Sequence, residues 1–434
     1  MSLFVRRFDD KSNATSLFSI ADPTLSGALE GSAGTRWNMP WTMGGTIDNA
    51  GESGVASWLI LPFEEAVPGA ESIFYEVGGT FTYELDGFNI TVPLWPDSIE
   101  VLPDPKLFLR YFWEEEVFGD DPFTNGIVEP SVPFVLGVQV INSGFGPARD
   151  VKISSGQPEI IENEKGLLVE FAVTGSDVNG LDATPSLTVE FGDVVGQDVG
   201  VARWWMTASL QGRFQNFDAT FEHVTDLGDA RLGLVDGVEI YGLEHSVRID
   251  EPFDDGIPDF FANNLTTDTN GETIFGSELG QELPVEFVDA GSAVVVETPV
   301  NAAEVEVTFT FDMSSVSSDE WVYLRFIDPQ PISNALLWTD RVGPNGKRLH
   351  EDNVWRTSRV RRPASGSEFT EKFLHIVDRN STGVYTMRVT RLDPVEDLRV
   401  VGETNTTETR RAGDAGLDSG TVCPEVCGCL EVCR

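Results

Sequence analysis

The stretch Phe134-Val135-Leu136-Gly137-Val138-Gln139-Val140-Ile141-Asn142-Ser143-Gly144-Phe145-Gly146-Pro147-Ala148-Arg149-Asp150-Val151-Lys152-Ile153 reads as one strand, a turn and a second strand. Its apolar, β-branched first half ends abruptly at Asn142 and Gly144, residues that punctuate strands. Asn142 and the glycines are expected to supply the positive-φ positions of the turn, and Ala148 and Val151 to lead into the next strand. Similar runs occur at residues 72–77, 79–85, 167–173, 186–191, 293–297, 305–311, 322–327 and 383–390, separated by Gly, Pro, Asn and Asp. No stretch keeps a 3.6-residue apolar period with caps. The expected fold is therefore all-β, as tandem Ig-like or fibronectin-like antiparallel β-sandwiches.

A faint internal repeat supports the tandem reading. Val55-Ala56-Ser57-Trp58, Gly79-Thr80-Phe81 and Leu94 recur about 140 positions later as Val201-Ala202-Arg203-Trp204, Ala219-Thr220-Phe221 and Leu234, as duplicated domains would. On this reading residues 1–128 are a first sandwich, 129–245 a second and 246–400 a third, with 401–434 a linker ending in a cysteine cluster. Projected back by the repeat, the opening strand of the first unit falls before residue 1, so that unit is expected to be N-terminally truncated.

Composition narrows the function classes. The 434 residues carry 71 acidic against 29 basic side chains, a net charge of −42, which repels nucleic acid and anionic membrane surfaces. No run approaches the roughly 18 consecutive apolar residues of a membrane span, and Met1 to Asp10 lacks the apolar core of a signal peptide. Sequons at Asn13, Asn89, Asn264, Asn380 and Asn405 are candidate glycosylation sites. Cys423, Cys427, Cys429 and Cys433, the only cysteines, are candidate disulfide partners in a small cysteine-rich module, with a thiolate metal site or intermolecular bridges as alternatives. Taken literally, the missing signal peptide would mean a cytosolic protein; the sequons, the cysteine cluster and the expected N-terminal truncation lead instead to the expectation of a chain outside the cell or on its surface.

The Phe134 to Ile153 segment, with its strand, N-x-G, short loop, A-x-x-V and strand, resembles the CARDB-type domain, a cell-adhesion-related Ig-like sandwich. The resemblance covers the second unit and, through the repeat, much of the first. It implies an extracellular, non-catalytic β-sandwich that occurs in tandem.

Candidate chemistry is sparse. Four histidines, His223, His245, His350 and His375, accompany neither a G-x-S-x-G elbow nor an H-E-x-x-H pair. His223 stands where the first copy has Tyr83, which favours a structural role. Gly144-Phe145-Gly146 lacks the third glycine of a phosphate loop, and 71 acids make any carboxylate pair uninformative. Asp250 to Asp259 concentrates oxygen ligands around Gly256, but Pro252 and Phe253 occupy ligand positions of a calcium loop, so calcium is a secondary expectation and no other cofactor is expected. Asp120-Asp121 reads the same way. Trp37 and Trp41 could offer a sugar platform, whereas Trp58, Trp204 and Trp205 read as core.

One charge contrast stands out. Arg341, Lys347, Arg348, Arg356, Arg359, Arg361 and Arg362 hold seven of the 29 basic residues. They are either paired with local acids or form a patch that docks on an acidic face of a neighbouring protomer or a glycan. The expected function is a non-catalytic structural or adhesive segment of a secreted or cell-surface protein, self-associating or bound to neighbouring surface proteins, for which a filament or matrix subunit is one form. The alternative is a carbohydrate- or calcium-dependent binding module.

Overall fold

Period-two patterns become strands throughout the described residues. The computed structural model describes residues 1–35, 38–46, 51–121, 126, 128–153, 170–213, 234–249, 255–263, 272–289, 294–302, 304–312, 320–328, 335–361, 369–379 and 383–391. Residues Met1–Arg391 form one compact unit.

The N-terminal part comprises β1 (Ser2–Arg7), β2 (Phe18–Ile20), β3 (Thr24–Gly27), β4 (Glu30–Thr35), β5 (Asn38–Gly44), β6 (Gly54–Ser57), β7 (Ile60–Pro62), β8 (Ile73–Leu85) and β9 (Phe88–Val101). A three-stranded sheet in the order β1-β8-β9 is accompanied by the two-stranded ribbons β2-β7, β3-β6 and β4-β5. Val5, Phe18, Ile20, Tyr75 and Val101 fill a small core with Trp58 and Ile60 against it. The Tyr75 hydroxyl donates to the Ala66 carbonyl at 2.5 Å, so its polar tip is satisfied inside that core.

The middle of the chain supplies β10 (Leu107–Trp113), β11 (Glu116–Val117), β12 (Phe134–Asn142), β13 (Ala148–Ile153), β14 (Phe171–Val178), β15 (Leu181–Ala183), β16 (Val189–Val194), β17 (Asp198–Ala208), β18 (Gly212–Arg213), β19 (Val235–Val247), β20 (Asp259–Asn263) and β21 (Glu272–Phe275). The last part adds β22 (Glu282–Asp289), β23 (Val294–Pro299), β24 (Glu304–Thr310), β25 (Trp321–Ile327), β26 (Ala335–Val342), β27 (Val354–Arg361), β28 (Phe369–Arg379) and β29 (Val384–Arg391). Twelve of these strands form one sheet in the order β15-β14-β17-β12-β10-β19-β20-β21-β22-β25-β28-β27.

Two sandwiches are built on this sheet. The ribbon β13-β16 lays Ala148, Ile153, Val189, Phe191 and Val194 over Leu136, Val138, Trp204 and Met206 of β12 and β17. The sheet β23-β24-β29-β26 places Val307, Phe309, Tyr385 and Met387 over Leu324, Phe326, Leu374 and Ile376 of β25 and β28. Among the described strands pairing is antiparallel except for β10 with β19 and β22 with β25, which are parallel. Strand β10 reads Leu-Phe-Leu-Arg-Tyr-Phe-Trp because both its faces are covered, as parallel strands require: Leu109, Tyr111 and Trp113 enter one core and Phe112 another.

The all-β expectation holds, but the sheet runs through the boundaries drawn at 128/129 and 245/246. Strand β10, assigned from sequence to the first unit, lies between β12 and β19. Parallel pairing joins strands far apart in sequence, and local periodicity carries no trace of it.

The repeat does not place its tryptophans equivalently. Trp58 follows the four-residue β6, which pairs only with β3, whereas Trp204 lies within the eleven-residue β17, between β12 and β14. Residues 219–221 lie outside the described residues.

The turn after β12 also differs from expectation, since neither Asn142 nor Gly144 nor Gly146 has positive φ, and the left-handed residue that follows, Asp150, lies within β13 at its register shift. Asn142 instead acts through its side chain. It is fully buried, its Nδ2 lies 2.8 to 3.1 Å from the carbonyls of Gly146, Val194 and Val195, and its Oδ1 accepts from Gly144 and Lys106. The glycines are needed for close approach: a Cβ on Gly146 would lie 1.9 Å from the Pro103 carbonyl oxygen.

Candidate functional site: an aromatic and histidine stack with a charged rim

On β25, β27 and β28 alternate side chains leave the sandwich core and pack on the other face of the sheet. Trp355 and His375 are direct cross-strand partners, and Tyr323 lies on the neighbouring β25. Trp355 stacks on His375 at 4.9 Å and on His245 of β19 at 4.2 Å, with ring planes within 13°. Strand β27 is the edge strand next to β28, yet its Trp355 touches β19, well separated from it in the sheet order. The segment from β19 to β27 therefore curls back on itself. The fold is pinned where the Asn353 side chain exchanges two hydrogen bonds with the backbone of Arg248, each 2.7 Å.

Both nitrogens of His375 are engaged. Its Nδ1 is 2.8 Å from the Tyr323 hydroxyl and its Nε2 is 2.8 Å from the Thr357 hydroxyl. A neutral imidazole has one donor and one acceptor, and two hydroxyls complement it whichever tautomer is present. Burial, with Arg325 next in weight, pushes His375 down to about 3. Burial likewise lowers His245 to about 4. The rings stack on Trp355 and, for His375, on Tyr323, which belong to a core that includes Val247, Phe261, Ile274, Trp321 and Val377.

A charged rim lies beside this stack. Glu244 is the extra residue of a β-bulge, because the β19 to β20 register passes from Leu243 to His245. Its carboxylate accepts from Asn263 Nδ2 at 3.1 Å. Glu114, immediately after β10, accepts the Val135 N–H at 2.9 Å. Arg359 of β27 meets Glu116 of β11 at 3.0 Å and lies over the Phe118 ring. Arg325 lies over Phe287 and Phe373. Burial pushes Glu114 up to about 7, partly offset by the Val135 N–H and by Arg359, and burial raises Glu244 as well. The rim thus joins the β10 to β11 corner to β19 and β27 through coupled carboxylates and two guanidinium groups.

The basic patch is dispersed. Lys347 pairs with Asp378, Arg348 with Asp340, Arg356 with Asp328 and Arg359 with Glu116. Arg341 is half-buried in the field of Glu351 and Asp352. The Arg361 side chain and Arg362 lie outside the described residues. Sequence reading found Arg359 but missed Glu114, Glu244 and Arg325. The run Glu114-Glu115-Glu116 next to the apolar β10 was the available signal.

Other sequence candidates resolve unevenly. Asp259 is buried and accepts the backbone N–H groups of Ile249 and Ser277, so it braces the chain where a calcium ligand was considered; burial pushes it up to about 6. Asp120 and Glu129 are linked through side chain and backbone, Glu129 donating its N–H to Asp120 while its carboxylate accepts the Asp121 N–H. His350 accepts from the Asp352 N–H. Asn13 and Asn89 are exposed. Asn264, Asn380, Asn405, His223, Trp37, residues 250–254 and Cys423, Cys427, Cys429 and Cys433 lie outside the described residues. Among the described residues no group of three His, Cys, Asp or Glu side chains could hold a metal ion, and no helix is long and apolar enough to cross a membrane.

Protein-family models and curated proteins were both compared with the chain, and neither set contains a match. The class defined by fold and site is that of an all-β protein whose sandwiches share one continuous sheet.

Proposed function

We propose that this chain is a non-catalytic, structural or adhesive segment of a secreted or cell-surface protein. The observation that carries the reading is the neutral His375, held between the Tyr323 and Thr357 hydroxyls and covered by Trp355. Here the residue type best suited to proton transfer is used as packing, with both ring nitrogens taken up by hydroxyls. The single sheet that ties distant strands together suits a segment that transmits force or holds spacing. The resemblance of the Phe134 to Ile153 segment to CARDB-type sandwiches supports the same class.

The test is location. An antibody against this chain applied to intact, unpermeabilised cells of its source should label their surface or surrounding matrix. Label seen only after permeabilisation would overturn the proposal.

A further inference from the structure

The turn that follows β12 grips a peptide bond of another segment. Between β9 and β10 the chain runs Pro103-Asp104-Pro105-Lys106, and this stretch lies directly against Gly144 and Gly146, where there is no room for a Cβ. The Gly146 N–H donates to the Asp104 carbonyl at 3.2 Å. Asn142 Oδ1 accepts the Lys106 N–H at 3.1 Å, and the Lys106 carbonyl accepts the Ser143 N–H at 2.9 Å. The bond between Asp104 and Pro105 is thus held from both sides. The Asp104 side chain is not held: half-buried, its carboxyl makes neither a hydrogen bond nor an ion pair among the described residues. The charges beside it are those of Glu64 and Lys106, 3.6 Å from each other, with Asp236 3.8 Å from Lys106. Of the other Asp-Pro pairs, Asp328-Pro329 differs in that Arg356 takes up its carboxylate at 2.7 Å.

We propose that the folded chain cleaves itself between Asp104 and Pro105. The Asp104 carboxyl oxygen attacks the carbonyl carbon of its own residue and closes a cyclic anhydride. As that O–C bond forms, the C–N bond to Pro105 breaks, and the carboxyl proton passes to the Pro105 nitrogen, which leaves as a secondary amine. Water then opens the anhydride, so the net reaction is hydrolysis, with Asp104 as a new C-terminus and Pro105 as a new N-terminus. Nucleophile and electrophile belong to one residue, so the attack is intramolecular and needs only orientation. The Gly146 N–H lies on the oxygen that gains negative charge in the tetrahedral intermediate. Burial, with Glu64 adding to it, raises the Asp104 carboxyl above its ordinary pKa, so that it keeps the proton which the leaving nitrogen requires. The cut severs no sheet: among the described strands β1 to β9 pair only with one another, and so do β10 to β29. The core of Val5, Phe18, Ile20, Tyr75 and Val101 stays whole on one side of it. Such processing goes beyond the structural role proposed above and does not depend on it.

The test is to hold the purified full chain at about pH 5, where a raised carboxyl is still partly protonated, and to follow it by intact mass and N-terminal sequencing. Two products should accumulate, one of them beginning at Pro105, at least about tenfold faster than from the same bond in chain unfolded by urea at that pH. Asp22-Pro23, Asp121-Pro122, Asp328-Pro329 and Asp393-Pro394 are controls within the same molecule and should be cut no faster folded than unfolded. Asp104→Ala, with circular dichroism like that of wild type, should abolish the cut. Asp104→Glu should abolish it too, because it keeps the charge but sets the carboxyl one carbon further from the carbonyl. A folded wild type that stays intact overturns the proposal, as does cutting at Asp104-Pro105 no faster than in urea. Cutting that persists in Asp104→Ala also overturns it, since a contaminating protease would then be the agent. Surface labelling of cells is read separately, so an uncut chain ends this proposal alone and leaves the structural one standing.

Discussion

Arg359 of β27 donates to Glu116 of β11 at 3.0 Å, joining side chains 243 residues apart in sequence. The contact fastens the curled end of the twelve-stranded sheet to the corner that follows β10. It lies among Glu114 and Glu244, so the guanidinium also offsets the charge of two carboxylates that burial penalises.

Removing that cation leaves like charges facing one another in a half-buried place. Arg359→Ala should lower stability by about 1 to 2 kcal/mol, between the values for exposed and buried pairs. Self-association should not change. Calorimetric unfolding and sedimentation of the same sample check both halves, and an assembly defect without loss of stability would restore the docking-patch reading of Arg359.

Glu114 predicts a pH effect of definite sign. Its folded pKa of about 7 lies above the ordinary carboxylate value, so the folded chain binds the proton more tightly than the unfolded chain. The stability this gives is fully present below about pH 4.5 and is lost as pH rises through 7. His245 and His375 act oppositely between about pH 6.5 and 4, because their folded values are depressed. The difference between wild type and Glu114→Gln cancels those histidine contributions. It should be near zero at about pH 4.5 and favour the variant by about 3 kcal/mol at about pH 8, since each pH unit separating the folded from the unfolded value is worth ~1.4 kcal/mol. Urea unfolding at the two pH values measures it, and a difference that does not vary with pH would refute the assignment.

How much of this was legible in the sequence depended on distance along the chain. Period-two runs announced β12, β24, β25 and β29, because alternation is a local consequence of one strand having two faces. The single sheet stayed hidden. It depends on β10 pairing in parallel with β19, and nothing in Leu107–Trp113 names that partner. The basic cluster was visible, but its partners Asp328, Asp378 and Glu116 were not, so a paired set looked like a free patch. Glu244 could not be read as a rim residue because only the bulge in β19 reveals its place.

His375 should be required for stability through the hydroxyls that it satisfies. His375→Phe keeps a ring beside Trp355 but removes the two nitrogens that the Tyr323 and Thr357 hydroxyls meet. At about 1 to 2 kcal/mol for the buried Tyr323 hydroxyl and less for the part-buried Thr357 hydroxyl, the loss should be roughly 2 kcal/mol in urea unfolding. Thr357→Val alone should cost about 1 kcal/mol. If His375→Phe were neutral, the hydrogen bonds would be incidental to the stack.

The turn after β12 separates two roles of residues that look alike in sequence. Asn142 supplies side-chain donors and acceptors to three segments, so Asn142→Asp places an acceptor-only carboxylate against the carbonyls of Gly146, Val194 and Val195. Buried and facing oxygen, that carboxylate should cost at least about 4 kcal/mol at neutral pH, recovered in part as acidification protonates it. Gly146→Ala fails for a different reason: the added carbon meets the Pro103 oxygen, and the chain must move regardless of pH. Thermal unfolding of both variants at about pH 4 and about pH 7 distinguishes them. Asn142→Asp should improve at low pH relative to wild type, whereas Gly146→Ala should be equally destabilised at both, and a pH-independent Asn142→Asp would show that the side chain had turned away from the three carbonyls.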